Sequence, residues 1–266
     1  MDEHLSEVLM HLVSAYHGGE KIVLLFGFDG TLTPIAELPW QAKLAPRTGE
    51  LLGQLAALPR LNLGVLSGRR IEEVEQMVGI PGIYYCGLSG IEMNLKGRSF
   101  VPPAALQGAP LIDEVVRRLS AIEEVYAGAW VEHKRFGFTV HYRGVAADLT
   151  EKVHTLIMGF LERWSDQLRI VDVPRAVEVT LAGAGTKGDA VQKIVADVGE
   201  PSFVFYAGDA PNDEDAFAEV KALGGVTLGV GPNAPSSATA HVADPESLTD
   251  WLDGLLHQLQ EAAVLP

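Results

Sequence analysis

Leu5, Val8, Leu9, Leu12 and Val13 recur at the spacing of one helical face, and the run stops at Gly18-Gly19. This predicts an amphipathic first helix. Residues 22–26 follow as an unbroken apolar run closed by Gly, Asp and Thr, the pattern of a strand buried on both faces. The alternation then repeats: a helix around residues 47–58 before a strand at 61–66, and a helix around 71–78 before a strand at 83–86. It returns late in the chain as helix 187–198, strand 203–207, helix 213–223 and strand 226–230. Strands alternating with helices predict an α/β fold, a Rossmann-like parallel sheet covered on both faces, with ligands at the carboxyl ends of the strands. A last helix is built on Leu248, Trp251, Leu252, Leu255 and Leu259, while His241 and His257 carry no functional signal.

The middle of the chain has a different period. Residues 130–134 and 138–143 read as two strands joined by a turn containing Gly137, an antiparallel hairpin flanked by helices near 111–124 and 149–164. Pro102-Pro103 and Gly108-Ala109-Pro110 predict loop within this segment. The expected organisation is therefore a core from residues 1–86 and 182–266, split by an α+β insert at 87–181.

Composition narrows the function classes. Twenty Lys and Arg against 35 Asp and Glu give a net charge of −15, which repels nucleic acid, and no stripe of cations interleaved with aromatics compensates. An anionic ligand must then find locally arranged cations or a metal. The single cysteine, Cys86, forms neither an internal disulfide nor a cysteine-based metal site, and is expected to be a buried, inert thiol. Met1-Asp2-Glu3-His4 is acidic where a secretory signal needs positive charge, and no apolar run approaches the ~18 residues of a membrane span. A cytoplasmic protein without a membrane partner, monomeric by default, is the expectation.

Candidate chemistry gathers at the predicted strand ends. Phe26-Gly27-Phe28-Asp29-Gly30-Thr31-Leu32-Thr33 closes the first strand, and Leu66-Ser67-Gly68-Arg69 closes the second. Lys187-Gly188 opens a helix where a lysine is unfavourable for the helix dipole. Gly208-Asp209-Ala210-Pro211-Asn212-Asp213-Glu214-Asp215 places dense carboxylates after a later strand. In the insert, Trp130, Glu132 and Lys134 share one strand face, and Thr139, His141 and Arg143 share a face of the partner strand.

These four segments, in this order, resemble the signatures of the haloacid-dehalogenase-like (HAD-like) phosphatase superfamily. The resemblance extends to its trehalose-6-phosphate phosphatase family, because Val131-Glu132-His133-Lys134, His141-Tyr142-Arg143 and Glu178 before Gly185-Thr186-Lys187-Gly188 look like that family's cap pattern. It implies Mg²⁺-dependent hydrolysis of a sugar phosphate, trehalose 6-phosphate foremost, through an aspartyl-phosphate. Asp29 would be the general acid/base, Lys187 would neutralise the phosphoryl oxygens, and Ser67, Gly68 and Arg69 would hold the phosphate. The metal would be held by Asp209, by the Asp29 backbone carbonyl and, through water, by Asp213. Glu132, Lys134 and Glu178 would contact sugar hydroxyls, with His141 and Arg143 bracing the hairpin or the cap.

The main departure is Gly27, which stands where the family has its nucleophilic aspartate. The chain as written is expected not to form the phospho-enzyme: a disabled variant, a natural non-catalytic relative and a sequence error all remain open. Ser89 replaces a typical His, and Ala210 and Asn212 replace a typical Asp and Thr. A glycosyl-3-phosphoglycerate or modified disaccharide phosphate is therefore an alternative substrate, and a non-catalytic sugar-phosphate-binding protein an alternative role.

Overall fold

A computed structural model describes residues 3–199 and 202–261; Met1 and Asp2, on which part of the N-terminal reading rests, lie outside the described residues. The chain forms two compact units, Met1–Phe100 with Thr186–Pro266, and Val101–Gly185. In chain order the first unit begins with α1 (Glu3–His17), β1 (Lys21–Gly27), α2 (Pro46–Ala56), β2 (Leu61–Leu66), α3 (Ile71–Val78), β3 (Tyr84–Gly87), β4 (Glu92–Leu95) and β5 (Arg98–Phe100). The second unit holds α4 (Pro103–Leu119), α5 (Ala121–Val125), β6 (Trp130–Lys134), β7 (Gly137–His141), α6 (Thr150–Leu161), β8 (Leu168–Val173) and β9 (Ala176–Leu181). The chain then returns to the first unit with α7 (Lys187–Val198), β10 (Ser202–Gly208), α8 (Glu214–Ala222), β11 (Val226–Val230), β12 (Ala240–Val242) and α9 (Pro245–Glu261).

In the first unit the strands lie in the order β12-β11-β10-β1-β2-β3-β4-β5. All neighbours from β12 to β3 are parallel. The alternation along β1 explains why its sequence is apolar throughout. Ile22, Leu24 and Phe26 enter one core cluster with residues of α1, α2 and α9, whereas Val23 and Leu25 enter a second with residues of α7 and α8. After β1 the chain proceeds outward through β2 and β3, and later through β10 and β11 on the opposite side. The strand order therefore reverses at β1, and the carboxyl ends of β1, β2 and β10 frame the crevice where such sheets take ligands.

β4 and β5 pair antiparallel beyond β3, with Tyr84 opposite Leu95 and Met93 opposite Phe100. The second unit accordingly starts at Val101 and ends at Gly185, where the sequence pointed to residues 87 and 181. Met93 and Leu95 bury their side chains beside Tyr84 and Cys86; strands of four and three residues are too short to announce this periodicity.

The second unit is a four-stranded antiparallel sheet in the order β6-β7-β9-β8. Helix α4 packs on β6, β7 and β9. It runs straight through the stretch expected to be loop: Pro103 stands in its first turn and Pro110 is inside it. Burial outweighs the missing amide, because Ala105, Ile112, Val115 and Leu119 are all interior. Gly108 belongs to the helix for a packing reason, since a β-carbon there would stand 2.6 Å from the Leu181 side chain.

Candidate active site

Beyond β1 the chain turns tightly: the Leu32 and Thr33 amides both donate to the Phe28 carbonyl, and the Gly30 amide donates to the Thr33 carbonyl at 2.7 Å. Gly30 has φ +78°, and a β-carbon there would lie 1.9 Å from an Asp209 carboxylate oxygen, so only glycine lets the loop pass the end of β10. Thr31 is fully buried and donates its hydroxyl to Asp209 Oδ1 at 2.8 Å. That hydroxyl oxygen stands 2.6 Å from where a β-carbon on Gly27 would begin, and Thr31 Cβ stands 3.2 Å from it. The space beside Gly27 is thus occupied by Thr31.

β2 delivers the second segment. The Arg69 amide donates to Ser67 Oγ at 3.1 Å, and the Ser67 amide donates to the Cys86 carbonyl of β3 at 2.9 Å. The neighbouring turn after β3 is strained, with Leu88 and Ser89 at φ 48° and 54°. The buried Arg69 guanidinium forks onto Asp29, Nε donating to Oδ2 at 2.7 Å and Nη2 to Oδ1 at 2.6 Å. Its Nη2 also donates to the Pro39 carbonyl at 2.8 Å. Paired, charge-assisted bonds of this kind are among the strong ones. Arg69, expected to face a phosphate, is in this structure the partner of Asp29, and both Asp29 oxygens are engaged.

α7 starts on a capping box in which the Asp189 amide donates to Thr186 Oγ1 and the Thr186 amide donates to the Asp189 carboxylate. This fixes Lys187 at the first helical position, where its ammonium opposes the dipole. Asp213 supplies the compensating charge: Lys187 Nζ donates to Asp213 Oδ1 at 2.6 Å, and both side chains are buried. Tyr206 of β10 donates its hydroxyl to the same Oδ1 at 2.6 Å, while the Asp209 and Ala210 amides donate to Oδ2 at 3.1 and 3.2 Å. With both oxygens engaged and no exposure, Asp213 orients Lys187 in this structure, where the sequence expected it to serve the metal through water.

Asp209 differs. Burial, then the Asp213 charge, push its carboxyl up to about 7, against the opposing effects of Lys187 and the Thr31 hydroxyl. The protein alone offsets this charge only in part. The donors here are oxygens, the Asp209 carboxylate with the Asp29 main-chain carbonyl as the expected second, and Mg²⁺ suits such a set because it retains waters and takes one or two carboxylates. Among the described residues no three His, Cys, Asp or Glu side chains converge as a metal centre. The thiol of Cys86 is buried, and burial pushes it up to about 12, so it is inert as expected.

In the second unit, register puts the polar residues in rows. Glu132 is opposite Thr139 and Thr139 is opposite Glu178, so the three share one face of β6, β7 and β9. Trp130 is opposite His141, and their rings stack with centroids 4.0 Å apart. His141 Nε2 is hydrogen-bonded to Glu132 Oε2 at 2.8 Å, and Lys134 Nζ approaches the same oxygen at 3.7 Å. His141 therefore braces Glu132. Arg143 donates to the Pro174 carbonyl at 3.1 Å, a brace between loops of the same unit.

Residues 25–248 match the trehalose-phosphatase family profile. The chain belongs to the trehalose-phosphatase family. A trehalose-phosphate phosphatase of Mycobacterium tuberculosis is 34% identical over 249 residues, covering 90% of this chain and 62% of the relative. The counterpart in Mycobacterium leprae is 29% identical over 253 residues, covering 90% of this chain and 58% of the relative. The chain thus spans about three fifths of the length of these relatives. The fold is shared with the C-terminal domain of trehalose-6-phosphate phosphatase from C. albicans (TM-score 0.79, 21% identity, covering 94% of this chain and 97% of that one). A trehalose-6-phosphate phosphatase related protein gives TM-score 0.76 at 19% identity, covering 90% of this chain and 99% of that one. The first unit is a HAD-like core and the second its inserted cap.

Tyr206 of this trehalose-phosphatase-family chain carried no signal in sequence, where it reads as one more apolar strand position, while Thr31 and Thr139 stood within candidate segments without their present partners or role. Only the partners brought together by folding single them out.

Proposed function

We propose that this chain is a sugar-phosphate phosphatase scaffold of the trehalose-6-phosphate type which, with glycine at position 27, binds its substrate without forming an aspartyl-phosphate. The observation that carries the reading is the convergence of Gly27, Asp29, Ser67, Arg69, Lys187 and Asp209 at the ends of adjacent elements of one sheet, with every part except the carboxylate at 27 retained. In phosphoryl transfer the charge spreads over several oxygens, and positioned cations do most of the work. Lys187, aimed by Asp213, would neutralise phosphoryl oxygens, and Ser67 and the Gly68 main chain would hydrogen-bond them. Arg69 would turn to the phosphate on leaving Asp29, which frees Asp29 to protonate the leaving sugar oxygen. Mg²⁺, held by Asp209 and the Asp29 carbonyl, would supply charge neutralisation at the phosphoryl group. Glu132, Lys134 and Glu178 would exchange hydrogen bonds with sugar hydroxyls, which both donate and accept.

A second reading, a sugar-phosphate-binding protein with no turnover in its native role, is favoured by one observation: Thr31 fills the place beside Gly27. Both readings meet the same experiment. Phosphate release with Mg²⁺ is measured for the chain as written and for Gly27→Asp on trehalose 6-phosphate, a glycosyl-3-phosphoglycerate and a modified disaccharide phosphate. The expected outcome is no release by the former and release from trehalose 6-phosphate by the latter. Inactivity of Gly27→Asp on the whole panel leaves only the binding reading, and brisk turnover by the chain as written removes the assignment of position 27.

A further inference from the structure

The polar row of the cap sheet contains a group with no partner. Thr139 is 3% exposed, and its hydroxyl is buried without any hydrogen-bonding partner. Leaving such a group unpaired costs about 1–3 kcal/mol, so a native example demands an explanation. Three other side-chain atoms among the described residues share this state, in His154, Ser237 and Trp251, and none of them belongs to the row of residues assigned here to sugar contact. His154 has Asp172 at 3.0 Å, and Trp251 stacks on Phe205 in the core.

Thr139 alone lies between two carboxylates, with Glu132 opposite on β6 and Glu178 opposite on β9. It cannot be explained by the packing of α4, because the adjacent Phe138 and Val140 carry the apolar face of the same strand. Valine would fill a purely structural position on a β-strand equally well and leave nothing unpaired. Glu132 is also already held by His141 at 2.8 Å.

We propose that Thr139 is a specificity-determining residue, whose hydroxyl exchanges a hydrogen bond with a sugar hydroxyl gripped between Glu132 and Glu178. This rests on the sugar-phosphate reading above and adds to it a residue to which the sequence assigned no role. With Glu132 held by His141, it is the half-buried Glu178 side chain that turns toward the bound sugar and uncovers the Thr139 hydroxyl, so the group is paired only in the complex. A site built around such a hydroxyl discriminates against ligands that cannot satisfy it.

The test uses the full chain and two ligands, trehalose 6-phosphate and phenyl phosphate, titrated calorimetrically with Mg²⁺ against the parent, Thr139→Val and Thr139→Ser. Thr139→Val is expected to bind trehalose 6-phosphate about fivefold to tenfold more weakly, the equivalent of one neutral hydrogen bond. It should bind phenyl phosphate unchanged and melt no lower than the parent, while Thr139→Ser restores the sugar affinity. Parental affinity of Thr139→Val for the disaccharide overturns this inference and leaves the function standing. Equal weakening toward both ligands with a lowered melting temperature also overturns it, in favour of a structural role. A parent chain that binds phenyl phosphate and not trehalose 6-phosphate overturns the sugar-phosphate reading, and this inference with it.

Discussion

The Thr31 hydroxyl stands 2.6 Å from the point where a side chain at Gly27 would begin, and the same oxygen donates to Asp209 at 2.8 Å. A residue larger than glycine at 27 therefore has to turn Thr31 out of a buried, hydrogen-bonded position. Gly27→Asp alone is expected to destabilise the metal-free protein by about 1–3 kcal/mol, the usual range for overpacking. Thr31→Ser lacks the γ-methyl and rotates more freely, so in combination it should recover part of that loss. Denaturant unfolding of both single variants and the double variant gives the coupling directly. Strictly additive effects would show that the two positions do not compete for one space.

Asp209 carries the clearest pH dependence. Its carboxyl titrates near 3.8 when unfolded and about 7 when folded. Between those values the native state holds the extra proton, so this group lowers stability progressively as pH rises from about 4 to 7, and the full penalty persists above 7. Asn keeps the oxygen that accepts from Thr31 and removes the charge. Each pH unit between the two values is worth roughly 1.4 kcal/mol. Metal-free Asp209→Asn is therefore expected to melt several degrees above the parent at pH 8, and close to it at pH 4. Added Mg²⁺ should stabilise the parent alone. A variant that melts lower than the metal-free parent at pH 8 contradicts the picture of a carboxylate awaiting a cation.

Asp213 takes four donors, and two of them are side chains. Tyr206→Phe removes one hydrogen bond to a buried charge and should cost about 1.5–3 kcal/mol. Lys187→Met removes the countercharge and should cost more, about 3–5 kcal/mol, because a buried carboxylate is left uncompensated. Unfolding by urea with the slope held constant ranks the two. The reverse ranking would mean that Tyr206, rather than Lys187, is the main support of the Asp213 side chain.

Much of this architecture was legible because it follows from burial. β2, α3, α7 and β11 fall on their expected residues, since each is a period-matched apolar run closed by Gly or polar residues. What stayed hidden depended on partners distant in sequence. The β8–β9 hairpin that carries Glu178 has no two-residue turn of the usual chemistry, for Arg175 takes φ 61° where Gly or Asn is expected. The strand ends announced Asp29, Arg69, Lys187 and Asp209, because loops there must hold chemistry. They could not announce that Arg69 would close on Asp29, or Asp213 on Lys187. Charge pairing of this kind is decided by geometry at a resolution that spacing along a chain does not carry.

The cap supplies the sharpest test of substrate reading. Glu132 is hydrogen-bonded to His141 at 2.8 Å, lies 3.7 Å from Lys134, and is only partly exposed. Its carboxylate is thus oriented in advance by His141, whose ring is itself fixed against Trp130. A pre-oriented acceptor contributes to binding without the entropy of ordering a free side chain. In the Gly27→Asp background, Glu132→Ala is expected to lower kcat/KM for trehalose 6-phosphate by about tenfold to a hundredfold, as removal of a charged hydrogen bond does. Phenyl phosphate, which offers no sugar hydroxyl, should be hydrolysed at the unchanged rate. His141→Phe keeps the stacking surface and releases the carboxylate, so it should show the same selectivity with a smaller loss. Steady-state kinetics on the two esters decides the matter, because a collapse of the hairpin would depress both substrates alike, whereas lost sugar contacts separate them.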